Sequence, residues 1–216
     1  MNNTFLTTKL TPIVTIALCY ILYLSGYFQM TIAAVLLLIA SAIEYKKGLF
    51  KSLGFRWNKS SAKNLLLTAP LLGTLLFLFY YYVLVPVVTH FTGHPIDFSV
   101  FEVYTGNLPE ILKILVYVWI SAAFAEEIVF RGYLMSQFTK FFGSSNISLV
   151  CNILLFGLIF GWVHAYQGIS GQIVAGITGM LLAVIFHIRK NDLWFNIAIH
   201  GFLDTVFLIF VYNGWL

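Results

Sequence analysis

Apolar residues in this chain come in long blocks separated by short polar stretches. Seven blocks can be marked, at 11–28, 30–44, 65–89, 110–135, 147–166, 172–188 and 193–213. Each approaches the roughly 20 residues a helix needs to cross a bilayer. The first two run for about 33 nearly continuous residues, long for one helix and short for two at about 1.5 Å per residue. Gly26 and Gln29 supply a turn between them, giving two short helices. The pattern predicts an all-α fold, a polytopic transmembrane helical bundle of about seven spans. It forms a single multi-pass membrane domain over 1–216.

Composition agrees. The chain is 60% hydrophobic and 9% charged, whereas a soluble domain carries roughly 25% charged residues. No twin-arginine motif, cleavable signal peptide, low-complexity tract or internal repeat is evident. Cys19 and Cys151 lie within apolar blocks and read as buried thiols rather than a disulfide framework.

Charge adds an orientation. Lys46, Lys47, Lys51, Arg56, Lys59 and Lys63 crowd the 45–64 loop, which the positive-inside rule makes cytoplasmic. Alternating spans put Lys9, Lys140, Arg189 and Lys190 on the same side, ten of the twelve basic residues in all. The C-terminus is then external, and the protein is expected in the cell membrane. The 90–109 stretch carries His90, His94, Asp97 and Glu102 instead. The net charge of +4 is thus a topology signal, and no nucleic-acid partner is expected, since the basic loop has few aromatics and no binding motif.

Three polar constellations interrupt the apolar blocks. Ionisable groups at membrane depth cost several kcal/mol each unless they pair or face a polar cavity, so each one suggests function. In SAAFAEEIVFRGYL, Glu127 and Arg131 stand at i and i+4 and can pair. Glu126 lies about 100° away around the helix, without a local partner, and is placed to act as a general base. The plainer alternative is a Glu–Arg pair snorkelling to an interface with Glu126 in water. His164 follows Phe160 by one turn, on a face shared with Gly157, Gly161 and Gly168, where it can line a site or simply bond a neighbouring helix. His200 and Asp204 are also i and i+4: the carboxylate can orient the ring or bind metal, and the pair can equally be a proton relay or a structural bond. Elsewhere, His187 reads as interfacial, His90 and His94 as exposed, and Glu44 as paired with nearby lysines. Ala175 and Gly179 mark a close-packing face.

Glu126-Glu127-xxx-Arg131, Phe160-xxx-His164 and His200-xxx-Asp204, in that order on successive spans, resemble the CPBP family of intramembrane endopeptidases. That family joins type II CAAX prenyl proteases with bacteriocin-processing and immunity proteins. The resemblance covers about 110–213, a catalytic core. It implies that Glu126 activates water, that Glu127 and Arg131 support it, and that His164 and His200 stabilise the oxyanion or bind metal. Asp204 stands where the family has Asn or Asp. A zinc ion held by His164, His200 and Glu126 is one implied cofactor, although no HExxH motif occurs. The implied partners are the lipid bilayer and membrane-embedded or lipidated peptide substrates. Two other readings stay open, a non-catalytic immunity or partner-binding protein and a proton-coupled transporter. The three motifs do not share a depth: Glu126 falls mid-span, His200 nearer the cytoplasmic end and His164 toward the outer end.

Overall fold

The computed structural model describes residues 9–26, 29–57 and 61–216. Among them there is no strand, and seven long helices account for the bundle. They are α1 (Thr11–Leu24), α2 (Met30–Tyr45), α3 (Ser61–Thr92), α4 (Leu108–Phe142), α5 (Asn146–Val163), α6 (Gly168–Ile188) and α7 (Leu193–Asn213). The protein is thus an all-α polytopic bundle. Five helices, α3 to α7, are long and apolar enough to cross a membrane. At 14 and 16 residues, α1 and α2 reach only about 21 and 24 Å against a core of about 30 Å.

Helix ends follow local chemistry. The side chains of Asn107, Ser145 and Asp192 accept from the backbone N–H groups of Glu110, Ser148 and Phe195 at the starts of α4, α5 and α7. Burial pushes the Asp192 carboxyl pKa up, against the opposing pull of the Phe195 N–H. Pro70 and Pro86 fall inside α3, where each removes an N–H and crowds the preceding turn. Each is preceded by a stretch wound with wider i→i+5 bonds, Asn64–Thr68 and Tyr80–Leu84, which absorbs the misfit without ending the rod.

Small residues set how closely the helices approach. A Cβ on Gly161 of α5 would sit 2.4 Å from the Gln172 carbonyl of α6. One on Gly73 of α3 would sit 2.7 Å from the Ile199 carbonyl of α7. Both contacts need glycine, and the second sets the position of the residue before His200.

The two ends of the bundle differ. At one end the Leu193 N–H donates to the Gly54 carbonyl, Lys140 pairs with Glu44, and Lys9 lies 5.3 Å from the Phe141 ring centre. This joins Lys9 before α1, the 45–57 segment, the α4–α5 turn and the α6–α7 turn. At the other end the Gly106 N–H donates to the Tyr212 carbonyl, and the Asp97 N–H to the Gln167 carbonyl. The Tyr81 hydroxyl reaches the Trp215 carbonyl at 2.6 Å.

Several expectations need correcting. The fifth block ends at Val163 rather than 166, so His164 caps α5, and Gly168, at φ +74°, opens α6 instead of extending the α5 glycine face. Glu44 is held by Lys140 and Gln137 of α4 rather than by the lysines beside it, because its side chain is buried against α4 while Lys46 and Lys47 point outward. Cys151 is exposed and Cys19 half-buried; both are free thiols. An apolar residue on a spanning helix can face lipid as readily as protein, which the sequence pattern does not separate. Lys59 and the end of the first block, 27–28, lie outside the described residues.

Candidate active site

The fourth helix supplies the first motif. At 35 residues α4 exceeds the roughly 20 needed to span, so it must tilt or extend beyond the core. Residues Val118–Glu126 and Ile128–Leu134 within it carry i→i+5 bonds, a winding often found at functional sites.

Glu127 is fully buried and all of its contacts are specific. Arg131 Nη1 donates to its Oε1 at 2.8 Å, as the i, i+4 spacing predicts. His200 Nδ1 reaches the same oxygen at 2.9 Å, and Asn196 Nδ2 donates to Oε2 at 2.6 Å. A buried carboxylate needs such compensation, since one left bare in low dielectric costs several kcal/mol. The guanidinium is satisfied in turn. Its Nη2 donates to the Gly179 carbonyl of α6 at 2.6 Å, and its carbon lies 5.1 Å from the Phe160 ring centre. One ion pair therefore ties together α4, α6 and α7, with Phe160 of α5 stacked upon it.

Glu126, the neighbouring residue, makes no hydrogen bond or ion pair with any described residue. It projects into a cavity of about 500 Å³ that His164, His200 and Asp204 also line. His164 hangs from the end of α5, its Nδ1–H donating to the Phe160 carbonyl at 2.7 Å. A carbonyl can only accept, so in the neutral ring Nε2 is an acceptor. His200 Nε2 lies 3.5 Å from Asp204 Oδ2. The structure thus brings Glu126, His164, His200 and Asp204 around one cavity, and sets Glu127 and Arg131 behind it. The apparent depth mismatch disappears because α5 stops at Val163 and α4 is long: both reach the same level from different starting heights.

Asn196 went unnoticed in the sequence. It stands one turn before His200, which makes Asn196, His200 and Asp204 a polar stripe at i, i+4 and i+8, and that spacing was the available signal. The contact between His200 and Glu127 had no signal at all, because it joins residues 73 apart. Tyr166, Gln167 and Tyr23, which also line the cavity, belong to turns and helix ends that carry no motif.

Residues 108–206 match the family model for type II CAAX prenyl endopeptidase Rce1-like proteins. Over this segment the chain is similar to that family. The matched segment, 99 residues from 108 to 206, holds all three motifs and a little under half of the chain. No curated protein and no solved structure matched. The match supports a protease at the coarse level, and the long apolar helices agree with a multi-pass membrane protein.

The zinc site that the resemblance implied can be compared with the donors present. Among the described residues no three His, Cys, Asp or Glu side chains are grouped to hold a metal ion. The Nδ1 atoms of both His164 and His200 are already engaged. That leaves the Nε2 atoms facing the cavity, the arrangement in which a second hydrogen bond orients an imidazole.

Proposed function

We propose that this protein is an intramembrane endopeptidase in which Glu126 activates a water molecule. The observation that carries this is the contrast between two adjacent carboxylates: Glu127 accepts three hydrogen bonds, whereas Glu126 accepts none from the described residues and faces the cavity. Glu127 is a positioning residue and Glu126 is free to react. In the proposed step Glu126 takes a proton from water as the water oxygen bonds to the scissile carbonyl carbon. His164 Nε2, an acceptor in the neutral ring, holds the second water proton. His200 Nε2–H, when that ring is doubly protonated between Glu127 and Asp204, donates to the developing oxyanion. Collapse of the intermediate breaks the C–N bond, and the proton on Glu126 passes to the departing nitrogen. The products are a carboxylic acid and an amine.

The cavity is walled by Phe77, Tyr80, Tyr117, Phe207 and other apolar residues, and it sits within the helical bundle. Such a site favours peptide segments that are themselves membrane-embedded or lipidated. The test is proteolysis of a membrane-anchored peptide library in reconstituted vesicles, comparing wild type with Glu126→Gln. Cleavage that survives in Glu126→Gln overturns the reading.

A further inference from the structure

The catalytic cavity and the basic residues occupy opposite ends of the bundle. Its lining comes from the α1–α2 turn (Tyr23, Gln29, Met30), the 93–107 segment (Phe101), the first half of α4 up to Glu126, and the α5–α6 turn (His164, Tyr166, Gln167). Phe77 and Tyr80 from the middle of α3 and residues 200–208 of α7 complete it, with His200 the lining residue closest to the start of α7. No described residue of 31–76, 127–162 or 168–199 takes part.

Those excluded stretches contain the other end. Lys46, Lys47, Lys51, Arg56, Lys63, Lys140, Arg189 and Lys190 all lie there, with Lys9 beside Phe141. Gly54 bonded to Leu193 and Glu44 paired with Lys140 hold these loops together as one face. Two described basic residues are not part of that face: Arg131 is buried on Glu127, and Lys113 pairs with Glu110 at 2.6 Å. The 93–107 segment over the cavity end carries Asp97 and Glu102 and no Lys or Arg.

We infer that the cavity opens on the bundle face opposite the basic one and receives substrate from the extracytoplasmic side of the membrane. Lys/Arg-rich loops are retained in the cytoplasm, so the basic face points inward and the mouth points outward. Resting on the peptidase reading above, this narrows the substrate class. The enzyme takes exported or outer-leaflet polypeptide segments, whose scissile bond reaches Glu126 past the α5–α6 turn and Phe101, rather than cytoplasmic chain ends.

Cysteine labelling in the full-length protein tests this without any turnover, so its failure is separate from failure of the peptidase reading. In a Cys19→Ala, Cys151→Ala background, single cysteines are placed at exposed Glu102, exposed Lys51 and cavity-lining Ala122. Intact cells are treated with a membrane-impermeant methanethiosulfonate, before and after permeabilisation. The expected result is labelling of Glu102→Cys and Ala122→Cys in intact cells, and of Lys51→Cys only after permeabilisation. The inference is overturned if Lys51→Cys labels from outside, if Ala122→Cys labels only after permeabilisation, or if Ala122→Cys resists the reagent from both sides in a folded protein.

Discussion

Glu127 and His200 meet at 2.9 Å across 73 residues of chain, carboxylate oxygen to Nδ1. The contact fixes which face of the imidazole looks into the cavity. It also makes Glu127 the junction between the Arg131 pair on its own helix and the polar stripe of α7.

Glu127→Ala is therefore expected to unfold or deplete the protein, where Glu126→Gln removes activity alone. Truncating one member of a buried pair costs about 3–5 kcal/mol because the other charge is stranded. Arg131 would be that stranded charge, at 2% exposure. Immunoblotting of membrane fractions separates the two outcomes. Equal levels of Glu127→Ala and wild type, with an unchanged melting temperature, would contradict the assigned role.

Asn196→Leu should leave the chain in the membrane but impair cleavage. Its Nδ2 hydrogen bond at 2.6 Å holds the second oxygen of Glu127, and losing a hydrogen bond to a charged group costs about 1.5–3 kcal/mol. A Glu127 freed to rotate would let His200 turn. The expected readout is a fall in kcat with KM little changed. A change confined to KM would place Asn196 in substrate binding instead.

Gly73→Ala should lower the melting temperature and the activity together. The added Cβ would lie 2.7 Å from the Ile199 carbonyl and 2.9 Å from the Leu203 backbone nitrogen, with no flexible side chain to yield. Overpacking of this kind costs about 1–3 kcal/mol. Gly48→Ala serves as the control, since its nearest neighbour is Ser52 Oγ at 3.7 Å. A Gly73→Ala protein that melts with the wild type would mean that α7 shifts freely against α3.

Activity should persist in a metal chelator. Among the described residues the donors around the cavity form no three-ligand group, and the proposed step uses Glu126 and two imidazoles. Assays with and without 1,10-phenanthroline decide the matter: loss of cleavage reversed by added zinc would show that the histidines rearrange around an ion.

Asp192→Ala should destabilise the start of α7 by about 1 kcal/mol through loss of its N-cap bond, the 3.2 Å contact from the Phe195 N–H. Asp192→Asn keeps an acceptor oxygen and should be near neutral. Thermal denaturation in detergent distinguishes them. Equal melting temperatures for the alanine variant and wild type would show that α7 is held by packing alone.

Much of the fold was legible because a bilayer imposes a one-dimensional rule. A chain must present long apolar blocks to cross it, and the seven blocks became seven helices, with ends displaced where caps intervened, as at Val163. The candidate site was legible for a related reason. Glu126, His164, His200 and Asp204 stand out because polar groups are scarce in apolar runs, and Glu127 with Arg131 could be paired from i, i+4 spacing alone.

What the sequence determined by itself was therefore local: which segments are helical, which polar residues interrupt them, and which partners lie one turn apart. Tertiary structure decided the rest. It chose Lys140 over the adjacent lysines for Glu44, turned Cys151 outward, joined His200 to Glu127, and left Glu126 as the free carboxylate. The reason is that helical periodicity fixes directions within a helix, whereas the rotation and height of each helix against its neighbours depend on close contacts such as Gly73 on Ile199 and Gly161 on Gln172. Those contacts join residues far apart in the chain, and no spacing along the sequence records them.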